Sequence, residues 1–363
     1  MENALTQRFT LESLGWDPQR NDNFSEHAAA GLVPGRVATQ HKGSYVVFTE
    51  AGELAAGVTG RMRYDAAGSA DLPVVGDWVA LDVRAEEKAA TIRAVLERQT
   101  KFSRKVAGDE SEEQLLSANI DVIFLVTSLN EELNPRRLER YLTMSYENGA
   151  TPVVVLTKAD LCEDVAAALE PVSLVAIGTP IHVVSSVTGE GFDELRSYLD
   201  GNRTVTLLGS SGVGKSTLIN QLAGEDLMTV QEIREDDARG RHTTTRRQLV
   251  LLPGGGVIVD TPGMRELQLW EASEGFKGSF QDVEALAAGC RFRDCSHRTE
   301  PGCAVREAVE NGTLAAERLR SYNKLQRELL HLARKRDQRL AQEETRKWKI
   351  RHKAMRKTKS PKV

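Results

Sequence analysis

The sequence predicts a multidomain α/β protein, in which a small β-barrel precedes a doubly wound parallel sheet and a metal-binding helical domain follows it. Three observations predict this order. Short strand patterns fill residues 33–97, apolar strands alternate with helices over 118–279, and a cysteine-rich stretch begins near Phe280. At 363 residues the chain can bury a hydrophobic core in each of two to three domains.

The first domain is predicted from five short strands separated by turn residues, at 35–39, 44–49, 53–59, 77–83 and 90–96. Five such strands fit a small closed barrel of the OB type, which is a common RNA-binding platform. Another small barrel that binds protein is the alternative, because barrel shape alone does not select a ligand.

The central domain is predicted from nearly continuous apolar runs, which are typical of buried parallel strands, at 120–127, 152–156, 181–184, 204–208, 248–252 and 257–259. Asn134 and Pro135 supply an N-cap and a first-turn proline for a helix that runs to about Asn148. Beyond Phe280 the strands stop, and helices are expected from about Thr313 to Gln342.

These patterns divide the chain into six segments. We expect an N-terminal extension at 1–32, an OB-type barrel at 33–98, a linker at 99–117, the α/β domain at 118–279, a metal-binding and helical domain at 280–342 and a basic tail at 343–363.

The formal net charge of −4 conceals a basic C-terminus. From Arg334 onward, thirteen Lys and Arg residues accompany three acidic ones, a balance of +10 that leaves −14 on the rest of the chain. A basic end on an acidic body favours a polyanionic partner such as RNA, and a solubilising end without a partner is the alternative.

No signal peptide or membrane span is predicted, because charged residues interrupt the N-terminal thirty residues and no later apolar run is long enough. We therefore expect a cytoplasmic protein. Its four cysteines include three within fourteen residues, which favours a metal site over a disulfide framework.

The sequence GSSGVGKS at 209–216 matches the phosphate-loop pattern GxxxxGK[ST], between a predicted strand and a predicted helix. Glycines let backbone N–H groups close around phosphate oxygens, Lys215 supplies a positive charge, and the Ser216 hydroxyl can ligate Mg²⁺. The alternative is a glycine-rich turn that binds no ligand. The predicted strand before the motif and the predicted helix after it disfavour this alternative. The residues predicted to bind the phosphates are Gly209, Ser210, Ser211, Gly212, Val213, Gly214, Lys215, Ser216 and Thr217.

A second phosphate-sensing motif, DTPG, follows the apolar strand at 257–259 and is distinctive of GTPases. Asp260 can hold Mg²⁺ through its coordination shell, and the Gly263 amide can sense the γ-phosphate. Thr244 lies in a hydroxyl-rich run between the two motifs and is expected to supply a further ligand to Mg²⁺, as the first switch.

The guanine base is expected at TKAD, residues 157–160, which resembles the NKxD motif of GTPases. The Asp160 carboxylate can accept two hydrogen bonds from guanine that adenine cannot donate, and the stem of Lys158 stacks over the ring. Thr157 replaces the usual Asn. The base-binding residues are Thr157, Lys158, Ala159 and Asp160, with Ser185 and Ser186 in the loop after the next strand.

In ordinary GTPases the phosphate loop precedes the base loops, whereas here the base loops come first, so the domain is circularly permuted. With a barrel before it and a cysteine cluster after it, the chain resembles the GTPases of bacterial small-ribosomal-subunit biogenesis from about Val33 to Gln342. The fold class implied is a circularly permuted P-loop GTPase domain with an N-terminal OB-type barrel and a C-terminal zinc-binding helical domain.

The resemblance implies a monomer that binds GTP and GDP, contacts 16S rRNA of the 30S subunit through barrel and zinc domain, and is released after hydrolysis that the 30S subunit stimulates. In that family an apolar residue replaces the water-positioning glutamine after DxxG, as Met264 does here. His242 is then the candidate for positioning the water, with Lys215 and Gly263 as further catalytic residues. A nucleotide-gated RNA-binding scaffold with negligible turnover is the alternative function.

The cysteine cluster has the pattern C-x4-C-x-H-x5-C. Three thiolates and one imidazole complete a tetrahedral Zn²⁺ shell with no open position, so a structural site with one Zn²⁺ is expected. Three reduced cysteines beside a chance histidine are the alternative. The predicted ligands are Cys290, Cys295, His297 and Cys303.

Overall fold

The computed structural model describes residues 9–41, 43–66, 68–106, 109–130, 133–228, 247–260 and 273–330. Helix α1, Arg20–Ala29, belongs to an N-terminal segment that packs against the barrel. The apolar cluster joining the two includes Phe9, Leu14 and Phe24 from this segment and Trp78 from the barrel. The segment before the barrel therefore contributes to a core.

The barrel comprises β1 (Val33–His41), β2 (Ser44–Thr49), β3 (Gly52–Val58), β4 (Trp78–Arg84) and β5 (Ala89–Val95), with helix α2 (Gly60–Asp65) between β3 and β4. The strand order β1-β2-β3-β5-β4 closes because β1 also pairs with β4. Alternate residues along the strands point inward and form a buried cluster that includes Val37, Val47, Leu81 and Ile92. The five predicted strands and the closed barrel are confirmed.

The stretch 99–117 was expected to be a linker, and the structure forms a β-hairpin there. Its strands are β6 (Lys101–Val106) and β7 (Asp109–Ala118). Near the base of the hairpin, Phe102, Leu115 and Leu116 are buried. These three apolar side chains hold the hairpin on the body of the protein, despite its polar composition.

The α/β domain contains the predicted strands, each within two residues of its expected bounds. Its elements are β8 (Val122–Ser128), α3 (Pro135–Glu147), β9 (Thr151–Thr157), α4 (Val165–Ser173), β10 (Ile181–Val183), α5 (Phe192–Arg196), β11 (Thr204–Leu208), α6 (Lys215–Ala223), β12 (Gln248–Leu251) and β13 (Val257–Asp260). The side chain of Asn134 accepts a 3.2 Å hydrogen bond from the Arg137 amide and caps α3, as predicted.

The strand order of this domain is β10-β9-β8-β11-β13-β12, with β12 antiparallel and the others parallel. Strand β12 also pairs with β1 of the barrel at Thr39 and Gln248, so one sheet runs through both domains. The parallel strands place their carboxyl ends at one edge, where ligands bind in open α/β sheets.

The C-terminal domain is helical, with α7 (Ser273–Ser279), α8 (Gln281–Ala287), α9 (Ala304–Glu310) and α10 at 316–330. Helix α7 lies directly on α3, and a Cβ atom at Gly275 would stand 2.1 Å from the Thr143 carbonyl oxygen. Only glycine permits this approach. In the part of the chain described, no helix has the length and apolar character needed to span a membrane.

Candidate nucleotide-binding site and metal centre

The phosphate loop connects β11 to α6, as the sequence predicts, so the N-terminus of helix α6 lies at the loop. A Cβ atom at Gly209 would lie 2.3 Å from the Val126 carbonyl oxygen, which excludes a larger residue there. Gly212 and Gly214 have φ values of 76° and 93°, in the left-handed region that favours glycine. The glycines of the motif therefore fit the backbone of this loop.

The Lys215 ammonium group lies within the loop. Its Nζ donates hydrogen bonds of 2.8 Å to the Gly209 carbonyl and 2.5 Å to the Ser210 carbonyl. A phosphate oxygen that enters the loop carries more negative charge than these carbonyls and can compete for the same donors.

The base loop follows β9. Lys158 has φ 61° and ψ 39°, a conformation that residues with a side chain adopt infrequently and that is concentrated at functional sites. The turn through Lys158 leads into a short 3₁₀ helix, Ala159–Leu161, in which the Asp160 side chain is exposed.

Ser185 orients the Asp160 carboxylate. The Ser185 Oγ accepts from the amides of Val187 and Thr188, at 3.2 and 3.3 Å, and donates at 2.6 Å to Asp160 Oδ1. Because both amides donate to this hydroxyl, its own proton is directed to Asp160. A carboxylate has about four acceptor positions, so Asp160 retains room for two donors from a base. The sequence predicted Ser185 in the site but not this contact with Asp160.

Thr157 joins the base loop to the phosphate loop. Thr157 as a whole is 3 % exposed, and its hydroxyl donates a 2.6 Å hydrogen bond to the Val213 carbonyl. A second link is formed by Gln221 of α6, whose side-chain amide donates a 3.3 Å hydrogen bond to the Ser186 carbonyl. The structure thus brings together 157–160, Ser185, Ser186 and the phosphate loop, although they are far apart in sequence.

Asp260 ends β13, which pairs in parallel with β11 through Thr206 and Val259. Asp260 is therefore beside the start of the phosphate loop, while Ser216 stands in the first turn of α6. Their carboxylate and hydroxyl oxygens are the hard donors that Mg²⁺ prefers, so both residues fit a Mg²⁺ that accompanies a nucleotide. The other predicted residues of this site, His242, Thr244 and Gly263, lie outside the described residues.

The four predicted zinc ligands form one cluster. Their ligand atoms all lie within 4.8 Å of one another. The His297 Nδ1 is 3.6 Å from the Cys290 Sγ and 3.4 Å from the Cys303 Sγ, and these two sulfurs are 3.9 Å apart. Zn–S and Zn–N bonds of about 2.3 and 2.0 Å give tetrahedral edges of about 3.8 Å between sulfurs and about 3.5 Å between sulfur and nitrogen. The donor set and its spacing fit a four-coordinate metal ion.

The backbone and the surroundings of His297 support this arrangement. His297 has a φ of 57°, and it is buried. Burial lowers its pKa, which favours the neutral imidazole that binds metals.

Comparison with known proteins identifies the family. A family model described as RsgA GTPase matches residues 95–270. The small ribosomal subunit biogenesis GTPase RsgA 2 of Lactiplantibacillus plantarum is 51 % identical over 82 % of this chain and 84 % of its own length. The RsgA of Opitutus terrae is 46 % identical over 94 % of this chain and 95 % of its own length. The chain belongs to the RsgA GTPase family.

Solved structures agree with this assignment. The crystal structure of YjeQ from Thermotoga maritima has a TM-score of 0.64 and 30 % identity, and it covers 82 % of this RsgA-family chain and 99 % of its own. YloQ, described as a circularly permuted GTPase, has a TM-score of 0.61 at 23 % identity and supports the fold alone. A second family model, described as 50S ribosome-binding GTPase, matches residues 204–347, beginning at β11. The predicted fold, a permuted P-loop domain between a barrel and a cysteine-containing helical domain, is confirmed.

Proposed function

We propose that this RsgA-family GTPase binds the 30S ribosomal subunit through 16S rRNA, assists its late maturation, and hydrolyses GTP to GDP and phosphate as it leaves the particle. The observation that carries the proposal is the junction of the base loop and the phosphate loop at one edge of the sheet. Relatives of 46–51 % identity named for small ribosomal subunit biogenesis support the choice of particle. We also propose that the protein is a monomer, that it acts in the cytoplasm, and that the 30S subunit stimulates its GTP hydrolysis.

Each residue has a proposed part in the reaction. Asp160, oriented by Ser185, selects guanine, and Lys215 exchanges its loop carbonyls for β- and γ-phosphate oxygens. Mg²⁺, held by Ser216, Thr244 and Asp260, would offset the charge of the phosphates. His242 would position the attacking water, and the Gly263 amide would sense the γ-phosphate.

The metal in the Cys3His cluster is proposed to be one structural Zn²⁺. Support comes from the donor set, which leaves no open position on a tetrahedral ion, and from the edge lengths of the cluster.

Turnover measurements test the proposal. GTP hydrolysis should exceed ATP hydrolysis, should rise when 30S subunits are added, and should be abolished by Lys215→Ala without loss of the fold. His242→Ala should reduce stimulated turnover while nucleotide binding persists. If wild-type protein binds GTP and 30S subunits but turnover stays at the level of Lys215→Ala, the scaffold alternative is correct.

A further inference from the structure

A basic groove lies where helix α10 meets α3 of the GTPase domain. It encloses about 550 Å³, and Ser321 and Asn323 are its polar uncharged lining residues. The cationic residues that line it are Arg136, Arg298, Arg320, Lys324 and Arg327. We refer to this surface as the seam groove.

The cations of the seam groove come from three segments of two domains. Arg136 belongs to the first turn of α3, and Arg298 directly follows the cluster residue His297. The other three cations occupy one face of α10 at spacings of four and three residues. With a rise of about 1.5 Å per residue, those of α10 extend over about 10 Å. All five residues are exposed.

The carboxylates near the groove have other partners. Glu328 pairs with Arg140 at 2.7 Å, and Glu139 is buried with Arg318. Among the lining cations Arg320 pairs with Glu317. Within the part of the chain that the structure describes, no ion pair is formed by the other four cations, Arg136, Arg298, Lys324 and Arg327. No carboxylate residue lines the groove itself. The positive potential of the groove is thus largely uncompensated.

The chemistry of the lining selects the ligand. No aromatic side chain is among the lining residues, so bases have no stacking platform, whereas phosphates find several cations within one concave surface. We propose that the seam groove binds the phosphate backbone of RNA, with the GTPase domain and the metal-binding domain clasping the same strand. The proposal extends the proposed function, on which it rests for the identity of the RNA, and it assigns part of the RNA contact to helix α3.

The seam groove can be tested with two double variants of equal charge loss. Arg136→Gln with Lys324→Gln removes one groove cation from each domain. Arg196→Gln with Arg306→Gln removes one cation from each of the same domains, and neither residue lines the groove. Binding to naked 16S rRNA and to 30S subunits is measured over a series of salt concentrations, after zinc content and melting temperature confirm folding.

For the groove variant we expect affinity for 16S rRNA at least tenfold weaker, and a plot of log K against log salt that is flatter by about 1 for each phosphate contact removed. The control should keep the wild-type slope. If both variants have the same slope while the wild-type protein binds 16S rRNA and 30S subunits, RNA binding by the seam groove is contradicted and the proposed function is unaffected. Weaker 30S binding with unchanged 16S rRNA binding would also overturn RNA binding by the groove, because the groove would then meet a ribosomal protein. A third result would separate the two proposals. If the wild-type protein does not bind 30S subunits but binds 16S rRNA with a salt dependence that the groove variant weakens, RNA binding by the seam groove is supported and the proposed function is contradicted.

Discussion

The Thr157 hydroxyl donates a 2.6 Å hydrogen bond to the main-chain carbonyl of Val213, and this contact fixes the base loop to the phosphate loop. Thr157 stands where GTPases of the NKxD type have an asparagine. Because the donor is buried and its acceptor belongs to the loop that would hold phosphate, we propose that Thr157 acts on the nucleotide through the relative position of the two loops.

Replacing Thr157 with valine removes the donor and keeps the shape of the side chain. We expect the affinities for GTP and GDP to fall together, by about 1–2 kcal/mol or roughly tenfold, because the Val213 carbonyl loses a buried partner. Guanine selectivity over adenine should persist, since Asp160 is unchanged. Equilibrium displacement of a fluorescent GDP by GTP, GDP and ATP measures the affinities and the selectivity.

Thr157→Ser is the matched control, because it restores the hydroxyl without the methyl group. Its affinities should return to within about threefold of wild type. Nucleotide affinity that is unchanged in Thr157→Val would show that the two loops keep their positions without this hydrogen bond.

The contact between Thr157 and Val213 was beyond what the sequence could predict, while the loops themselves were predicted. A pattern such as GxxxxGK[ST] is local, so its glycines and lysine are recognisable from neighbours along the chain. The partner of Thr157 is a carbonyl 56 residues away, and every residue offers a carbonyl. The Ser185 contact with Asp160 escaped prediction for the same reason.

The hairpin at 101–118 was missed for a different physical reason. Its composition is polar, and polar strands lack the apolar alternation used to predict them. The register places Lys105 opposite Glu113, and this pairing of the two strands is known only once the hairpin has formed. The pairing of Thr39 with Gln248, which joins barrel and GTPase sheet, likewise depends on the tertiary fold.

Asp160→Asn should weaken GTP binding by about 3 kcal/mol, on the order of a hundredfold, and relax discrimination against ATP. Ser185 directs its proton at this side chain, so an asparagine would turn its carbonyl oxygen to Ser185 and its NH₂ group toward the base. That NH₂ group would then meet the N–H donors of guanine. Competition binding between GTP and ATP measures the change.

Glu163→Gln is a matched control for Asp160→Asn, because it neutralises an exposed carboxylate three residues away. Its nucleotide affinity should stay close to wild type. Guanine selectivity that survives in Asp160→Asn would exclude 157–160 as the base-reading loop.

One zinc atom per chain should copurify with the protein, and Cys303→Ser should lose it. The binding free energy of a structural zinc is folding free energy, so 280–330 should become sensitive to protease and exchange its amides faster. Cys303 also caps α9 by accepting from the Arg306 amide, and serine is a good N-cap, so the substitution removes the metal ligand and keeps an acceptor.

Cys162→Ser is the control for general loss of a thiol, because Cys162 lies outside the cluster. It should retain both zinc and protection of 280–330. A structural zinc site would be contradicted if metal analysis finds no zinc in gently purified wild-type protein while 280–330 is still protected from protease.

Arg318 fixes the metal-binding domain to the GTPase domain. From α10 it reaches Glu139 of α3 at 3.2 Å and Asp282 of α8 at 3.0 Å, and its guanidinium lies 4.2 Å from the centre of the Phe280 ring. Burial raises the pKa of Glu139, and the Arg318 charge opposes that rise. A buried, multiply paired arginine of this kind strongly penalises separation of its partners, so the two domains are expected to move together.

The last prediction concerns how nucleotide state reaches the metal-binding domain. The DTPG motif ends at Gly263 and α7 begins at Ser273, so nine residues separate the motif from a helix that packs on α3. Displacement of the Gly263 loop after γ-phosphate loss would therefore pull on α7 and shift α7, α3 and the metal-binding domain as one unit between two arrangements. A hundredfold difference in 30S affinity between nucleotide states needs only about 2.7 kcal/mol of coupling.

We expect a flexible Gly/Ser insertion after Leu269 to leave basal GTP hydrolysis intact and to shrink the ratio of 30S affinities measured with a GTP analogue and with GDP. The insertion must precede α7, because Gly275 and Gly278 approach α3 too closely to tolerate displacement. The same insertion after Gly178, where a side chain would meet no atom within 4 Å, is the control and should keep the wild-type ratio. If the ratio survives the insertion after Leu269 as well, the mechanical link is wrong. Nucleotide state must then act on the RNA through direct contacts of the switch residues 241–245.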